Sequence, residues 1–276
     1  MRVLRTIKEM RAPRSDRVAL VPTMGAFHEG HIALMREARL ICDTLVVSLF
    51  VNQTQFGKNE DFSRYPRDEE RDAKMASDAG VDILFTPTAE EMYAGSTTSI
   101  VVKGVSDLWE GTHRPGHFDG VATVVCKLFN IVQPDASVFG LKDLQQCAVI
   151  RQMVVDLNLP IELRFCPTIR ESDGLAMSSR NVFLTSEERS VAPSIYRELI
   201  RCAVAFANPK ASFESTQETI RKSRQYLEAK GMEIDYFNLV DSKTMEAKDK
   251  PSLGDSIIAA VRIGATRLID NVQIVA

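Results

Sequence analysis

The chain has 276 residues, of which 45% are hydrophobic and 26% are charged. These proportions are typical of a folded globular protein and exclude a long disordered chain. The 34 Lys and Arg residues nearly balance the 37 Asp and Glu residues, which leaves a formal net charge of −3. Because nucleic-acid binding needs a basic surface, this balance argues against a nucleic-acid partner. Any anion site must depend on a few well-placed cations.

The sequence also lacks the features of a membrane or exported protein. Its longest stretch without charge, residues 44–57, is polar in part and shorter than the roughly 20 apolar residues that span a bilayer. Residues 1–9 contain no apolar core of a signal peptide. The five cysteines form no Cys-x-x-Cys pair. We therefore expect a cytoplasmic, reduced protein with no membrane partner and no zinc site.

Strand-like and helix-like patterns alternate through the first 170 residues. Short apolar runs predict buried strands at 18–21, 45–51, 83–85, 136–139 and 161–166. Apolar residues at helical spacing predict helices at 29–41, 68–79, 121–132 and 144–157. Alternating strands and helices form βαβ units with right-handed crossovers. The pattern therefore predicts an α/β fold with a doubly wound parallel sheet.

The pattern changes after about residue 170. Thr185 and Glu188 form a capping-box signature, and we expect the helix that they begin to run to about Ala207. A second helix is predicted at 213–229, and strands are predicted at 234–240, 256–263 and 268–275. We therefore predict two domains, residues 1–170 and a smaller α+β domain of residues 171–276.

The strongest chemical signal follows the first predicted strand, in the segment Pro22-Thr-Met-Gly-Ala-Phe-His28-Glu-Gly-His31. Two histidines three residues apart at the start of a helix can face one direction. The N–H groups and the positive dipole end of the helix bind anions, and Gly25 and Gly30 allow a ligand to approach the backbone. In a parallel sheet this turn lies at the carboxyl edge, where ligands bind. The alternative is a capped helix with two surface histidines.

Two further segments could bind phosphate groups. The segment Phe139-Gly-Leu-Lys-Asp-Leu-Gln-Gln146 follows a predicted strand and opens a helix, and Lys142 offers a point charge. The segment Gly174-Leu-Ala-Met-Ser-Ser-Arg-Asn181 combines two hydroxyl groups with Arg180 in a loop. Hydroxyl and guanidinium groups make a suitable clamp for phosphate. The alternative for each segment is an ordinary surface loop.

Two other segments could recognise an organic acid. Gln55, in Asn52–Phe56, could hydrogen-bond a hydroxyl or carboxylate group, and Arg114–Gly120 combines a cation with turn residues and an aromatic ring. The alternative is again a plain loop. Four carboxylates are expected to form a solvated charged face, although carboxylates near a triphosphate could help to hold Mg²⁺. They are Asp61, Asp68, Glu69 and Asp72.

Six blocks in the chain resemble the pantothenate synthetase (pantoate–β-alanine ligase) family, and the resemblance covers essentially the whole length. The blocks are Val21–His31, Phe50–Phe56, Arg64–Arg67, Arg114–Val121, Phe139–Gln146 and Ser178–Asn181. The resemblance implies a Rossmann-like domain that binds ATP and pantoate, a C-terminal lid domain and a homodimer. It implies that ATP drives the condensation of (R)-pantoate with β-alanine through a pantoyl adenylate, with release of AMP and pyrophosphate.

Matched position by position, the resemblance also implies roles for individual residues. It assigns the catalytic role to His31. Because charge builds up on the phosphates during the reaction, we expect His28, Lys142 and Arg180 to be further catalytic groups. It places Gln55 against both pantoate and β-alanine and Gln146 against pantoate. It expects Mg²⁺ to be held mainly by the ATP phosphates. The implied ATP contacts are Met24, Gly25, Ala26, Phe27, His28, Glu29, Gly30, His31, Gly140, Leu141, Lys142, Asp143, Ile169, Met177, Ser178, Ser179 and Arg180.

Two alternatives stay open at this point. A nucleotidyltransferase of the same H-x-G-H superfamily would join AMP to a phosphorylated acceptor. A catalytically silent nucleotide-binding protein is suggested by two departures from the family's pattern, Gln53 in place of Pro and Leu141 in place of Glu. The products formed from ATP, pantoate and β-alanine distinguish the three possibilities.

Overall fold

The structure is a computed structural model that describes residues 1–11, 16–57, 60–208 and 212–275. The chain divides into two compact units. The N-terminal unit contains Met1–Leu141 and Val149–Pro167, and the C-terminal unit contains Lys142–Ala148 and Thr168–Ala276. The division into a domain for ATP and pantoate and a lid domain at residues 170/171 stays a prediction.

Among its described residues, the N-terminal unit contains a six-stranded parallel sheet with the order β1-β4-β3-β2-β5-β6. The strands are β1 Arg2–Leu4, β2 Val18–Thr23, β3 Thr44–Leu49, β4 Ile83–Phe85, β5 Ala136–Gly140 and β6 Glu162–Cys166. The predicted α/β fold with a doubly wound parallel sheet is confirmed. Of these strands, only β1 was absent from the prediction, because its first residue is Arg2 and it lacks the continuous apolar run that revealed the equally short β4.

Helices connect these strands. They are α1 Ile7–Met10, α2 Glu29–Arg39, α3 Glu69–Asp78, α4 Ala89–Tyr93, α5 Glu110–His113, α6 His117–Val132 and α7 Leu144–Asp156. Their apolar faces pack on the sheet: Ile32, Met35 and Ala38 of α2 are buried against Val47 and other strand residues. The apolar spacing that predicted the longer helices therefore marks the faces that they bury.

The sheet opens at the point where its strand order reverses. β2 pairs with β3 on one side and with β5 on the other. The ladder between β2 and β5 covers Ala19↔Ala136 and Leu20↔Ser137, whereas β2 continues to Thr23 and β5 to Gly140. The two strands therefore separate toward their carboxyl ends, and in open α/β sheets ligands bind in such a crevice.

In the C-terminal unit, helices pack on an antiparallel sheet whose described strands have the order β7-β8-β9. Its elements are α8 Ser186–Val191, α9 Ser194–Phe206, α10 Phe213–Ala229, β7 Glu233–Val240, β8 Ser256–Ile263 and β9 Thr266–Gln273. Leu199, Phe237 and Ile257 lie in its core. The predicted smaller α+β part is confirmed.

The prediction of one helix from Thr185 to Ala207 is wrong. The capping box of Thr185 and Glu188 is present, but α8 ends at Val191 and α9 begins at Ser194. Pro193 lies between them and has no N–H to donate to the carbonyl four residues earlier. The helix therefore breaks at the proline.

Two further findings concern membrane insertion and the cysteines. Within the part of the chain that the structure describes, no helix has both the length and the apolar character needed to cross a bilayer. All five cysteines are free, and Cys147, Cys166 and Cys202 are buried. Burial raises the pKa of Cys166 and of Cys202 to about 11. These two thiols therefore stay protonated at neutral pH and pack as small apolar groups.

Candidate functional site

The turn from β2 into α2 is formed by Met24–His28, and side chains of its own histidines cap the helix. Gly25 and Ala26 have φ angles of +82° and +53°, in the left-handed region that favours glycine. His28 Nδ1 accepts a hydrogen bond from the Gly30 N–H at 3.1 Å, and His31 Nδ1 accepts one from the His28 N–H at 3.3 Å. The two histidines therefore form a capping box at the N-terminus of α2.

These hydrogen bonds fix the tautomer of each ring. A neutral imidazole that accepts at Nδ1 carries its proton at Nε2. The ring centroids of His28 and His31 are 4.2 Å apart, so the two rings lie against each other at the positive end of the helix dipole. The capped-helix alternative and the anion-site prediction are compatible, because capping uses Nδ1 as an acceptor and the donor of each ring is at Nε2.

Asp72 is buried against this turn and hydrogen-bonds to its backbone. The prediction of a solvated Asp72 is therefore wrong. Its side chain is 1% exposed, and its carboxylate accepts hydrogen bonds from the N–H groups of Ala26 at 2.7 Å and Phe27 at 2.8 Å. A Cβ atom at Gly25 would lie 2.9 Å from Asp72 Oδ2, so the turn approaches the carboxylate closely. Burial raises the pKa of Asp72, although the backbone hydrogen bonds oppose the shift.

The other three carboxylates of the predicted charged face have different positions. Asp68 is the N-cap of α3 and accepts a hydrogen bond from the Arg71 N–H. Glu69 forms an exposed ion pair with Arg5. The side chain of Asp61 lies outside the described residues. Asp72 is buried because it lies one helical turn after the N-cap, on the face of α3 that packs against Met24–His28.

The segment after β3 forms a short 3-10 helix, Gln53–Gln55, that Asn52 organises. Asn52 Nδ2 donates to Gln55 Oε1 at 3.0 Å, and Asn52 Oδ1 accepts from the Tyr93 hydroxyl at 2.8 Å. Gln55 is 8% exposed, and its Nε2 donates to Met24 Sδ at 3.1 Å. The structure therefore brings the predicted acid-binding Gln55 against the first residue of the predicted ATP-binding turn. Asn52 and Tyr93 were not predicted as part of this network.

The third loop of this sheet edge follows β5. Gly140 is the last residue of β5, and Leu141 comes directly after it. A Cβ atom at Gly140 would lie 3.9 Å from Leu34 of α2, which is ordinary contact distance. The N-terminal unit thus presents three candidate segments, after β2, β3 and β5, at carboxyl ends of neighbouring strands.

The remaining candidate residues belong to the C-terminal unit, where β9 holds them. Asn271 Nδ2 donates to the Lys142 carbonyl at 3.0 Å. Asp270 accepts both ends of the Arg170 guanidinium, at 2.6 and 2.9 Å. Burial raises the pKa of Asp270, and the Arg170 hydrogen bond opposes that shift. The sequence analysis missed Asp270 and Asn271, which are neighbours in β9 and hydrogen-bond to Arg170 and to the Lys142 carbonyl.

The predicted phosphate clamp continues from the Arg170 loop. The Met177 N–H donates to the Ile169 carbonyl at 3.0 Å, which closes the loop. Ser178 caps a 3-10 helix, Ser179–Phe183, and its Oγ accepts from the Arg180 N–H at 3.2 Å. Asp143 and Gln146 follow Lys142 at the start of α7, within the same unit. The assignment of these residues to ATP and pantoate stays a prediction.

Comparison with known proteins identifies the family. A family model described as pantoate-beta-alanine ligase matches residues 2–273. The chain belongs to this family. The prediction of a pantoate–β-alanine ligase family member is thereby confirmed.

Curated relatives support the same assignment. The pantothenate synthetase of Syntrophotalea carbinolica is 51% identical over 257 residues, which are 93% of this chain and 90% of the relative. Pantothenate synthetase 1 of Bradyrhizobium diazoefficiens is 49% identical over 280 residues, 99% of this chain and 98% of the relative. The similarity therefore extends over both units of the family member described here.

Solved structures have the same fold. Pantothenate synthetase from Thermus thermophilus superposes with a TM-score of 0.94 at 45% identity, and the match covers 100% of both chains. Pantoate-beta-alanine ligase from Francisella tularensis, complexed with beta-gamma ATP and beta-alanine, gives a TM-score of 0.81 at 34% identity, covering 99% of this chain and 97% of that one. The Francisella protein therefore binds an ATP-type ligand and β-alanine on this fold.

Proposed function

We propose that this chain condenses (R)-pantoate with β-alanine, using ATP, and releases AMP and pyrophosphate. Family membership supports the overall reaction, and the ligands of the Francisella protein support ATP and β-alanine as substrates. The observation that carries the proposal is the contact between Gln55 Nε2 and Met24 Sδ at 3.1 Å. This contact joins Gln55, which is proposed to bind pantoate, to the turn that is proposed to bind ATP. The proposed reaction requires the pantoate carboxylate to approach the α-phosphorus of ATP.

In the first half-reaction, the pantoate carboxylate attacks the α-phosphorus of ATP. The carboxylate is ionised at neutral pH and needs no general base. The barrier comes from repulsion between anions and from charge that develops on the phosphorus centre and on pyrophosphate. His28 and His31 would donate from Nε2 to the phosphate oxygens, and Lys142 and Arg180 would supply positive charge. Ser178 and Ser179 would donate hydrogen bonds.

In the second half-reaction, the neutral amine of β-alanine attacks the acyl carbon of the pantoyl adenylate. The C–N bond forms, AMP leaves, and the amine loses a proton. Because the adenylate is already activated, positioning and exclusion of water should dominate this step. We propose that Gln55 orients both pantoate and β-alanine and that Gln146 orients pantoate.

Mg²⁺ is proposed to enter with ATP. Among the described residues, no group of three or more His, Cys, Asp and Glu side chains could hold a metal ion. A Mg²⁺ ion that binds through substrate phosphates and keeps several waters needs no such cage. We propose that the ATP phosphates supply the ligands of this ion.

Three further assignments are proposals that follow from the family. We propose that the chain is a homodimer, that it is cytoplasmic, and that residues 171–276 act as a lid. Light scattering after gel filtration tests the dimer. Substrate-dependent protection from limited proteolysis within residues 171–276 tests the lid.

One coupled assay tests the reaction itself. AMP formation should depend on both pantoate and β-alanine, and mass spectrometry should show one pantothenate per AMP. Pyrophosphate release with a dinucleotide-type product would support a nucleotidyltransferase instead. ATP binding by calorimetry without pyrophosphate release in the presence of pantoate would support a silent nucleotide-binding protein.

A further inference from the structure

The Arg114–Gly120 segment has no role in the reaction steps above, yet it packs against the turn that carries Gln55. Arg114 donates to both carboxylate oxygens of Glu60, from Nε at 2.8 Å and from Nη2 at 2.6 Å. Glu110 lies 3.7 Å from Arg114 Nη1. This guanidinium is therefore paired with carboxylates within the protein, and its use for a substrate acid stays a prediction.

His117 connects this ion pair to the backbone of Gln55. Its Nδ1 lies 2.9 Å from the Gln55 carbonyl oxygen, and its Nε2 lies 3.0 Å from Arg114 Nη1. A carbonyl oxygen only accepts, so Nδ1 must carry the proton. Nε2 then holds a lone pair and accepts the hydrogen bond from Arg114. The contacts thus fix His117 as a neutral ring with its proton on Nδ1, the opposite tautomer to His28 and His31.

The electrostatic surroundings favour this neutral form. The charged groups that face the ring are Arg114, Glu60 and Glu110. Burial, with the Arg114 charge in addition, lowers the pKa of His117 to about 4. Burial raises the pKa of Glu60, but the hydrogen bond and charge of Arg114 outweigh it, so the pKa lies below its usual value. Glu60 therefore stays ionised and keeps Arg114 in place.

The first helical turn of α6 also packs against the segment Asn52–Gln55. Asn52 Nδ2 donates to the Gly120 carbonyl at 3.1 Å. A Cβ atom at Gly120 would lie 2.4 Å from the Thr54 carbonyl oxygen and 2.6 Å from the Gln55 nitrogen, so only glycine allows this approach. The backbone on both sides of the Gln55 side chain is thus held by α6.

We propose that His117 is a positioning residue for substrate: its neutral ring, braced by Arg114, holds the Gln55 carbonyl so that the Gln55 side-chain amide faces pantoate and β-alanine. This inference rests on the proposed function. It assigns to His117 a role that acts only through Gln55, whereas the ATP-binding turn is held separately by Asp72. Disturbing His117 should therefore affect the two acid substrates and spare ATP.

The test compares His117→Leu with His117→Asn. Leu keeps the volume and removes the donor, whereas the Asn amide lies the same number of bonds from Cα as Nδ1 and keeps it. We expect His117→Leu to raise the KM for pantoate by about tenfold, as for one lost buried hydrogen bond, with the KM for ATP changed less than about twofold. His117→Asn should recover most of the loss.

Three results would overturn the inference. They are an unchanged pantoate KM in His117→Leu, an equal rise in the KM for ATP, and a failure of His117→Asn to recover any of the loss. A wild type that forms no pantothenate overturns the proposed function and this inference together. A wild type that forms it, beside a His117→Leu variant with unchanged pantoate KM, overturns this inference alone.

A measurement on the wild type decides the matter if His117→Leu does not fold. Imidazole ¹⁵N spectra, with His117 assigned by its absence from His117→Asn, should show a proton on Nδ1 and a neutral ring down to pH 5. A ring protonated on Nε2, or one that titrates near pH 6.5, would contradict the bracing by Gln55 and Arg114.

Discussion

Asp72→Asn is the most informative single substitution in the N-terminal unit. Asp72 accepts hydrogen bonds from the Ala26 and Phe27 N–H groups at 2.7 and 2.8 Å. An Asn side chain has one acceptor oxygen, so its NH₂ group must face one of these two donors. The substitution therefore removes one hydrogen bond and leaves a buried N–H group without an acceptor, with almost no change in volume.

The expected loss of stability follows from that count. A hydrogen bond to a charged acceptor contributes about 1.5–3 kcal/mol, and an unsatisfied buried donor costs a similar amount. Ala26 has a φ of +53°, a strain of about 1–2 kcal/mol that the hydrogen bonds to Asp72 help to offset. We expect Asp72→Asn to destabilise the N-terminal unit by about 2–4 kcal/mol. We also expect it to raise the KM for ATP roughly tenfold, because the turn relaxes.

The assay uses the single tryptophan of the chain, Trp109, which lies in the N-terminal unit. Its fluorescence during urea unfolding reports on that unit. Asp78→Asn is the matched control, because Asp78 is in the same helix but its side chain is 65% exposed in a surface ion pair with Lys74. Such a pair contributes about 0–1 kcal/mol. The reasoning is refuted if Asp72→Asn and Asp78→Asn are equally stable and share the wild-type KM for ATP.

Three further predictions follow from the structure. Gly174→Ala should destabilise the C-terminal unit by about 2–5 kcal/mol in thermal unfolding, because φ is +96° and the new Cβ would lie 2.5 Å from Tyr196 Cδ1. Gly231→Ala, with φ +81° and no heavy atom of the described residues within 4 Å, should cost only about 1 kcal/mol. Lys142→Ala should slow single-turnover adenylate formation by about 10²–10³, and a change below about threefold would remove Lys142 from the mechanism. Between pH 6.5 and about 4, His117 is protonated in the unfolded state but not in the folded state. As the pH is lowered through this range, the free energy of unfolding of the wild type should therefore decrease by about 3 kcal/mol more than that of His117→Asn. A difference in stability between the two proteins that does not change with pH would contradict the assigned pKa.

The sequence correctly predicted those elements whose determining residues are neighbours in the chain. The strand ending at Thr23, the glycine turn and the paired histidines of α2 are neighbours in the chain, so hydrophobic runs and cap residues reveal them. The same holds for α10, whose predicted and observed limits are both 213–229. The helix break at Pro193 could also have been predicted, because the missing N–H is a property of one residue.

Contacts between distant parts of the chain had no such signal. Asp72 looks like any charged residue of an amphipathic helix, because its partners are backbone N–H groups 46 and 45 positions away. Asn271 meets Lys142 across 129 positions. Lys142–Ala148 belongs to the C-terminal unit although the chain continues into the N-terminal one. Periodicity describes one element at a time and cannot reveal which elements meet.

The sequence alone determined the α/β architecture, the family resemblance and the turn at His28 and His31 that we predict to bind anions, because each depends on residue types at short, fixed spacings. The tertiary structure decided how that turn and Gln55 are held. A buried carboxylate and a neutral imidazole acquire their roles only when folding removes water and sets backbone donors and acceptors against them.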